Sequence, residues 1–248
     1  MSRSIIVVPC YNEAQRLDAA AFRSFLAAQS SVCFVFVDDG SRDATGACLE
    51  ALAKTEPERL RVLALAQNSG KAEAVRAGVR AALEERPDFV GYWDADLATP
   101  LAEIPKFVSV LEESPGLEAV FGARVRMLGR TIERHGLRHG LGRVFATAVA
   151  RMLDLPVYDT QCGAKLFRVS DTVAGLFAEP FFSGWCFDVE LIARWLRARR
   201  VSGAEPLTQV IRELPLERWT DVEGSKVRPV DFFRAWVQLW RIRGRYLR

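Results

Sequence analysis

The chain has 248 residues, half of them hydrophobic and 26% charged, which suits one large α/β domain and excludes wholesale disorder. Lysines and arginines number 34 against 31 acids, and a net charge of +3 is too balanced to mark a nucleic-acid binder. Five cysteines without a CxxC pair support neither a zinc cluster nor a disulfide framework, and they favour a reducing, cytoplasmic setting. The N-terminal apolar run is too short for a signal peptide, and no apolar stretch predicts a transmembrane helix.

The first half alternates short apolar runs with amphipathic segments. Residues 4–8 (SIIVV) predict a buried strand ended by Pro9, and 14–29 a helix. Residues 32–37 (VCFVFV) predict a second strand, and 43–53 a helix capped by Ser41 or Asp43. A strand over 60–65, a helix over 70–83, a strand over 89–93, a helix over 100–113 and a strand over 119–122 follow. This alternation predicts a mostly parallel sheet with helices on both faces.

In such sheets, ligands gather outside the carboxyl ends of the strands. Those ends carry residues 9–13 (PCYNE), Asp38 with Asp39, residues 68–71 (NSGK), and Asp94 with Asp96. Any one of these suits a turn or a helix cap. Four at consecutive strand ends point to one crevice. Asp94 and Asp96, two residues apart after a buried strand, can both reach a hard cation, Mg²⁺ or Mn²⁺. The same pair also suits a capped turn. Asp38 or Asp39 can accept hydrogen bonds from a nucleobase or a ribose hydroxyl. No GxGxxG follows the first strand and no GxxxxGK[ST] occurs, so neither a dinucleotide fold nor a P-loop is predicted.

The order VVPCYNE, VDDGSRD, NSGKAEAVRAG, DADLATP resembles the nucleotide-sugar half of family 2 glycosyltransferases of the GT-A fold. The later blocks DTQCGAKLF, WCFDVELI and WTDVEGSK resemble the polyprenyl-phosphate sugar transferases. That group includes dolichyl-phosphate mannose synthase and dolichyl-phosphate β-glucosyltransferase. DTQCGAKLF and WTDVEGSK are closest to the glucose branch, whereas Leu97 in DADL is closer to the mannose enzymes. The resemblance spans residues 4–226 and implies a catalytic domain over 1–226. Its nucleotide-sugar half is 1–123, its acceptor half is 124–226, and a C-terminal amphipathic helix follows over 227–248.

It also implies roles. Pro9, Tyr11 and Glu13 shape the base and ribose pocket with Asp38 or Asp39, and Lys71 lies near the nucleotide. Asp94 approaches the ribose or metal, and Asp96 ligates the metal. Arg124 and Lys226 meet phosphates. Asp159 and Gln161 stand at the acceptor, with Asp159 as base or as positioning group. Asp188, together with Glu190, is a second acceptor-side candidate. The implied reaction is inverting transfer of a hexose from a nucleotide-diphosphate sugar to a polyprenyl phosphate. UDP-glucose is favoured and GDP-mannose is the other donor considered. A soluble or glycan hydroxyl acceptor is the alternative, and it requires a true general base. A non-catalytic basic membrane-binding relative is the more distant one, and four polar strand ends are left unexplained by it. A sugar nucleotidyltransferase is disfavoured because PCYNEAQR is neither glycine-rich nor strongly basic.

Residues 124–151 hold seven arginines against one acid, Glu133. Arg130, Arg134 and Arg138 have helical i, i+4, i+8 spacing and suit an anionic lipid phosphate or a membrane surface as well as a solvated face. His135 and His139 lack a carboxylate partner, which reads as a surface role. At the C-terminus Val230, Phe233, Trp236, Val237 and Trp240 make an apolar stripe, and Arg234, Arg241, Arg245 and Arg248 a basic one. That pattern fits an interfacial helix, peripheral on a membrane, and equally a helix docking its tryptophans on the domain.

Overall fold

The computed structural model describes residues 2–133, 136–222 and 229–248, and the side chains of all of these except 136–141 and 229–233. The chain runs β1 (Ser4–Cys10), α1 (Ala19–Ala28), β2 (Val32–Asp38), α2 (Thr45–Ala53), β3 (Leu60–Ala64), α3 (Lys71–Leu83) and β4 (Phe89–Trp93). A 3₁₀ turn (Leu101–Glu103) leads into α4 (Ile104–Glu113), then β5 (Ala119–Ala123), β6 (Thr131–Glu133) and α5 (Gly136–Leu153). The rest is β7 (Ala164–Arg168), α6 (Asp171–Leu176), α7 (Phe187–Ser202), α8 (Leu207–Val210), β8 (Ile211–Pro215), β9 (Arg218–Thr220) and α9 (Pro229–Tyr246).

Among the described residues, seven strands form one sheet in the order β3-β2-β1-β4-β7-β5-β8. The first four are mutually parallel, as expected. β7 lies antiparallel between β4 and β5, and so joins the two expected halves of the chain in one sheet. β6 and β9 form a separate small parallel pair. Alternate side chains of the central strands feed two cores. Ile5, Val7, Val35 and Tyr92 pack with α3, α5, α6, α7 and α9. Ile6, Val8, Phe34, Phe36 and Trp93 pack with α1, α2 and α4. Strands buried on both faces explain why the apolar runs are unbroken rather than alternating.

Three sequence expectations change. β1 does not stop at Pro9 but continues to Cys10. Its pairing with β4 ends at Val7↔Tyr92, so the missing N–H of Pro9 costs no ladder bond on that open side. The helix expected over 14–29 begins only at Ala19, where the Asp18 carboxylate accepts the Ala21 N–H. Arg130 lies on no helix: it precedes β6 and pairs with Glu217 at 3.5 Å. The three-arginine helical stripe is therefore not formed. Arg134, His135, Arg138 and His139 lie outside the described residues or side chains.

Candidate active site

A cavity of about 650 Å³ opens at the carboxyl ends of β1, β2, β4 and β5. Pro9, Tyr11, Glu13, Asp39, Lys71, Asp94, Asp96, Arg124, Asp159, Gln161 and Asp188 all line it. The sequence stretches that bear them lie up to 179 positions apart, and the crossovers of the sheet bring them together.

At one end the loops after β1, β2 and β3 are tied together. The Asp39 carboxylate accepts the Ser69 and Gly70 N–H groups at 2.7 and 2.8 Å, and the Asn68 amide at 3.0 Å. Burial raises its pKa against those hydrogen bonds. Gly40, at φ +63°, lets this turn approach so closely that a Cβ would stand 2.5 Å from the Asn68 nitrogen. Glu13 is held by Arg16 at 2.8 and 2.5 Å. Asp38 is a correction to the sequence reading: it is not among the cavity-lining residues, and its carboxylate accepts the Ser41 N–H at 3.0 Å. β2 ends at Asp38, and Asp39 begins the loop that borders the cavity.

After β4 the chain turns sharply, with Leu97 at φ 52°. Asp94 pairs with Lys71 Nζ at 2.5 Å, and Asp96 accepts the Ala98 N–H at 3.1 Å. Burial works against the Lys71 ammonium, but Asp94, Asp188 and Asp96 outweigh it and raise its pKa. Burial, then the neighbouring Asp94 charge, raises the pKa of Asp96. This crowding of negative charge among hard oxygen donors is what a divalent cation relieves. The Asp94 carboxylate occupies the space above Gly163, where a Cβ would lie 1.9 Å from Oδ2. The glycine of DTQCG thus makes room for the first aspartate of DADL.

At the other end Arg124 grips Asp159 through two parallel bonds, Nε to Oδ2 at 2.6 Å and Nη2 to Oδ1 at 2.8 Å. Arg124 also lies over the Trp219 ring, 5.3 Å from its centroid. Burial opposes this guanidinium and Asp159 more than offsets it, so its pKa is raised. The Glu213 carboxylate accepts the Tyr158 and Asp159 N–H groups at 2.7 and 2.8 Å. Asp188 faces the cavity from the first turn of α7, and its Oδ1 accepts Lys165 Nζ at 2.6 Å and the Tyr92 hydroxyl at 2.5 Å. Burial, then Asp188, drives the Tyr92 phenol well above its ordinary value. Glu190 is a second correction. It is buried away from the cavity, accepting from Ser183, Arg194 and Tyr246. Lys226 lies outside the described residues.

Sequence reasoning missed Lys165, although it stands inside a quoted motif. Its side chain is 0% exposed, and its three donors meet Thr160 O, Cys162 O and Asp188. One ammonium thereby fixes both the loop bearing Asp159 and Gln161 and the cavity face of α7. A lysine among the apolar residues of AKLFR is the signal that marks it. Glu213 and Tyr92 carried no such signal, because their partners lie far along the chain. Phe145, Tyr158, Trp185 and Trp219 add an aromatic wall at this end.

Comparison with known proteins identifies relatives of the chain as a whole. A dolichyl-phosphate beta-glucosyltransferase of Drosophila melanogaster is 34% identical over 260 residues, covering 95% of this chain and 72% of the relative. The Saccharomyces cerevisiae protein of the same name is 30% identical, covering 98% and 74%. A polyprenol monophosphomannose synthase of Mycolicibacterium smegmatis is 26% identical, covering 98% and 88%. Among solved structures, glucosyl-3-phosphoglycerate synthase from Mycobacterium tuberculosis, in complex with Mn²⁺ and UDP-glucose, superposes with a TM-score of 0.65 at 20% identity. The alignment covers 98% of this chain and 79% of that one, and it establishes a shared GT-A fold. The description "Glycosyl transferase family 2" matches residues 5–173, more than half the chain, and the chain belongs to that family.

Proposed function

We propose that this enzyme transfers glucose from UDP-glucose to a polyprenyl phosphate with inversion at the anomeric carbon. The observation that carries the reading is the split character of the cavity. An acidic end with Lys71, Asp94 and Asp96 suits a sugar nucleotide, and an arginine with an aromatic wall suits an amphiphilic phosphate. The names of the relatives at about 30% identity support the same sugar and the same kind of acceptor. Pro9, Tyr11, Glu13 and Asp39 border the space for the base and ribose.

Asp96, with Asp94, would hold a Mg²⁺ or Mn²⁺ ion, which supplies charge stabilisation on the leaving diphosphate when bound. Lys71 keeps Asp94 in place and adds a positive charge beside the diphosphate. Arg124, with Gln161 beside it, receives the acceptor phosphate. An acceptor phosphate oxygen forms the new bond to the anomeric carbon as the bond from that carbon to the UDP oxygen breaks. The acceptor is already an anion near neutral pH, so no proton must be removed. Asp159 and Asp188 fit this scheme as positioning groups. Asp159 is clasped by Arg124 and Asp188 by Lys165 and Tyr92, which leaves neither carboxylate suited to deprotonate a hydroxyl. That observation favours a phosphate acceptor over a soluble or glycan hydroxyl.

Calorimetry with UDP and GDP, with and without Mn²⁺, followed by transfer assays with UDP-glucose and GDP-mannose, tests the reading. Metal-dependent UDP binding and glucose transfer to a polyprenyl phosphate are expected. GDP binding with mannose transfer overturns the choice of sugar, and no nucleotide binding overturns the reading altogether.

A further inference from the structure

α9 is anchored by a face that does not contain its tryptophans. Ala235, Leu239, Ile242 and Tyr246 are buried, and they recur at i, i+4, i+7 and i+11, one side of a helix. That side is fixed by polar contacts. Gln238 accepts the Cys186 N–H at 3.3 Å, and the Tyr246 hydroxyl donates to Glu190 at 3.1 Å. The opposite side is left to solvent: Trp236 is 46% exposed, Val237 48% and Trp240 71%. On α5, Val144 is 62% exposed next to Phe145, whose ring lies 6.3 Å from that of Trp236. Val237 and Trp240 of the stripe therefore face away from the domain and Trp236 keeps one edge on Phe145, while the side chains of Val230 and Phe233 lie outside those described.

A basic band flanks this apolar face. Arg234, Arg241 and Arg245 are exposed and fall within about one quadrant of the helix at 3.6 residues per turn, and the exposed Arg248 follows its end. From residue 229 to 248 the chain holds five arginines against one acid, Asp231. Exposed tryptophans bordered by arginines match the boundary between lipid headgroups and acyl chains. Two copies of this face laid against each other would bring like charges together, which disfavours self-association.

We propose that the Trp236–Val237–Trp240 face of α9, with Val144, docks the enzyme onto an anionic lipid bilayer. Phe145 links this face to the cavity, since its ring lies 5.3 Å from that of Trp185 and both line the cavity wall. An isoprenoid chain whose phosphate sits at Arg124 can leave along these two rings into the bilayer. This route rests on the acceptor proposed above, whereas the docking surface does not.

The test is co-sedimentation of the full chain, without nucleotide, with phosphatidylcholine vesicles and with vesicles containing about 30% phosphatidylglycerol, at physiological ionic strength. At least about tenfold stronger partitioning onto the anionic vesicles is expected, falling about tenfold in the double variant Val237→Ser, Trp240→Ser. Both positions are exposed, so the variant keeps its fold, and circular dichroism verifies that. No binding, equal binding to both vesicles, or binding indifferent to the two substitutions overturns the proposal. So does a lipid-free dimer that the double variant dissociates, which would assign the face to a second copy. Since no substrate is present, failure of the transfer reaction leaves this measurement standing, and the reverse is equally true.

Discussion

The two ends of the cavity handle negative charge in opposite ways. At the acceptor end two cavity-lining carboxylates already have a cation: Asp159 has Arg124, and Asp188 has Lys165. At the donor end Asp94 and Asp96 share Lys71, and the second carboxylate holds its proton more tightly than usual. Those two acceptor-end carboxylates are thus balanced within the protein, whereas at the donor end two carboxylates lean on one lysine. Breaking the buried Lys165–Asp188 pair should therefore damage the fold, and removing Asp96 should damage ligand binding.

The largest effect is expected from Lys165→Met, which strands the buried Asp188 charge. A loss of about 3–5 kcal/mol in urea denaturation is expected, with much of it regained in Lys165→Met combined with Asp188→Asn. A loss under about 1 kcal/mol would mean that the pair is not the internal brace described. Asp96→Ala should leave stability nearly unchanged while lowering kcat/KM by about 10²- to 10³-fold and abolishing the metal dependence of UDP binding. Retained metal-dependent binding would remove Asp96 as a ligand. Tyr92→Phe takes one of two donors from the Asp188 carboxylate, and a destabilisation of about 1.5–3 kcal/mol is expected. If its melting transition matches wild type, the hydroxyl contributes nothing there. The smallest effect is Gly163→Ala. Its methyl would displace the Asp94 carboxylate, so about tenfold weaker UDP binding is expected, and calorimetry giving unchanged affinity would sink that steric argument.

Much of this contrast is visible before any coordinates. The donor-end residues sit at the ends of apolar runs that are buried on both faces, and each run announces its strand locally. β4 falls on the expected residues, and most other elements of the first half lie within a few residues of expectation. Exceptions have local causes, as at Pro9, where the strand outlasts its partner. The acceptor half was legible as motifs and charge but not as structure. β7 is inserted antiparallel between two strands that precede it, and no local pattern states that neighbour. For the same reason Arg130 reads as helical yet precedes a short strand paired to residues 218–220. The strand's end separated Asp39 from Asp38, a distinction that two adjacent identical residues cannot signal.

Composition and periodicity were enough for the α/β class, the four polar strand ends and the amphipathic character of the last helix. These depend on interactions between near neighbours, which a linear string records. The pairing of Arg124 with Asp159, the burial of Lys165 beside Asp188, and the choice of which face of α9 meets the domain came from packing between distant segments. A buried ammonium is tolerated only where three acceptors converge on it, and a helix with two apolar sides buries the one its neighbours can fill. Both outcomes depend on residues far away in the chain, and the folded arrangement supplies them.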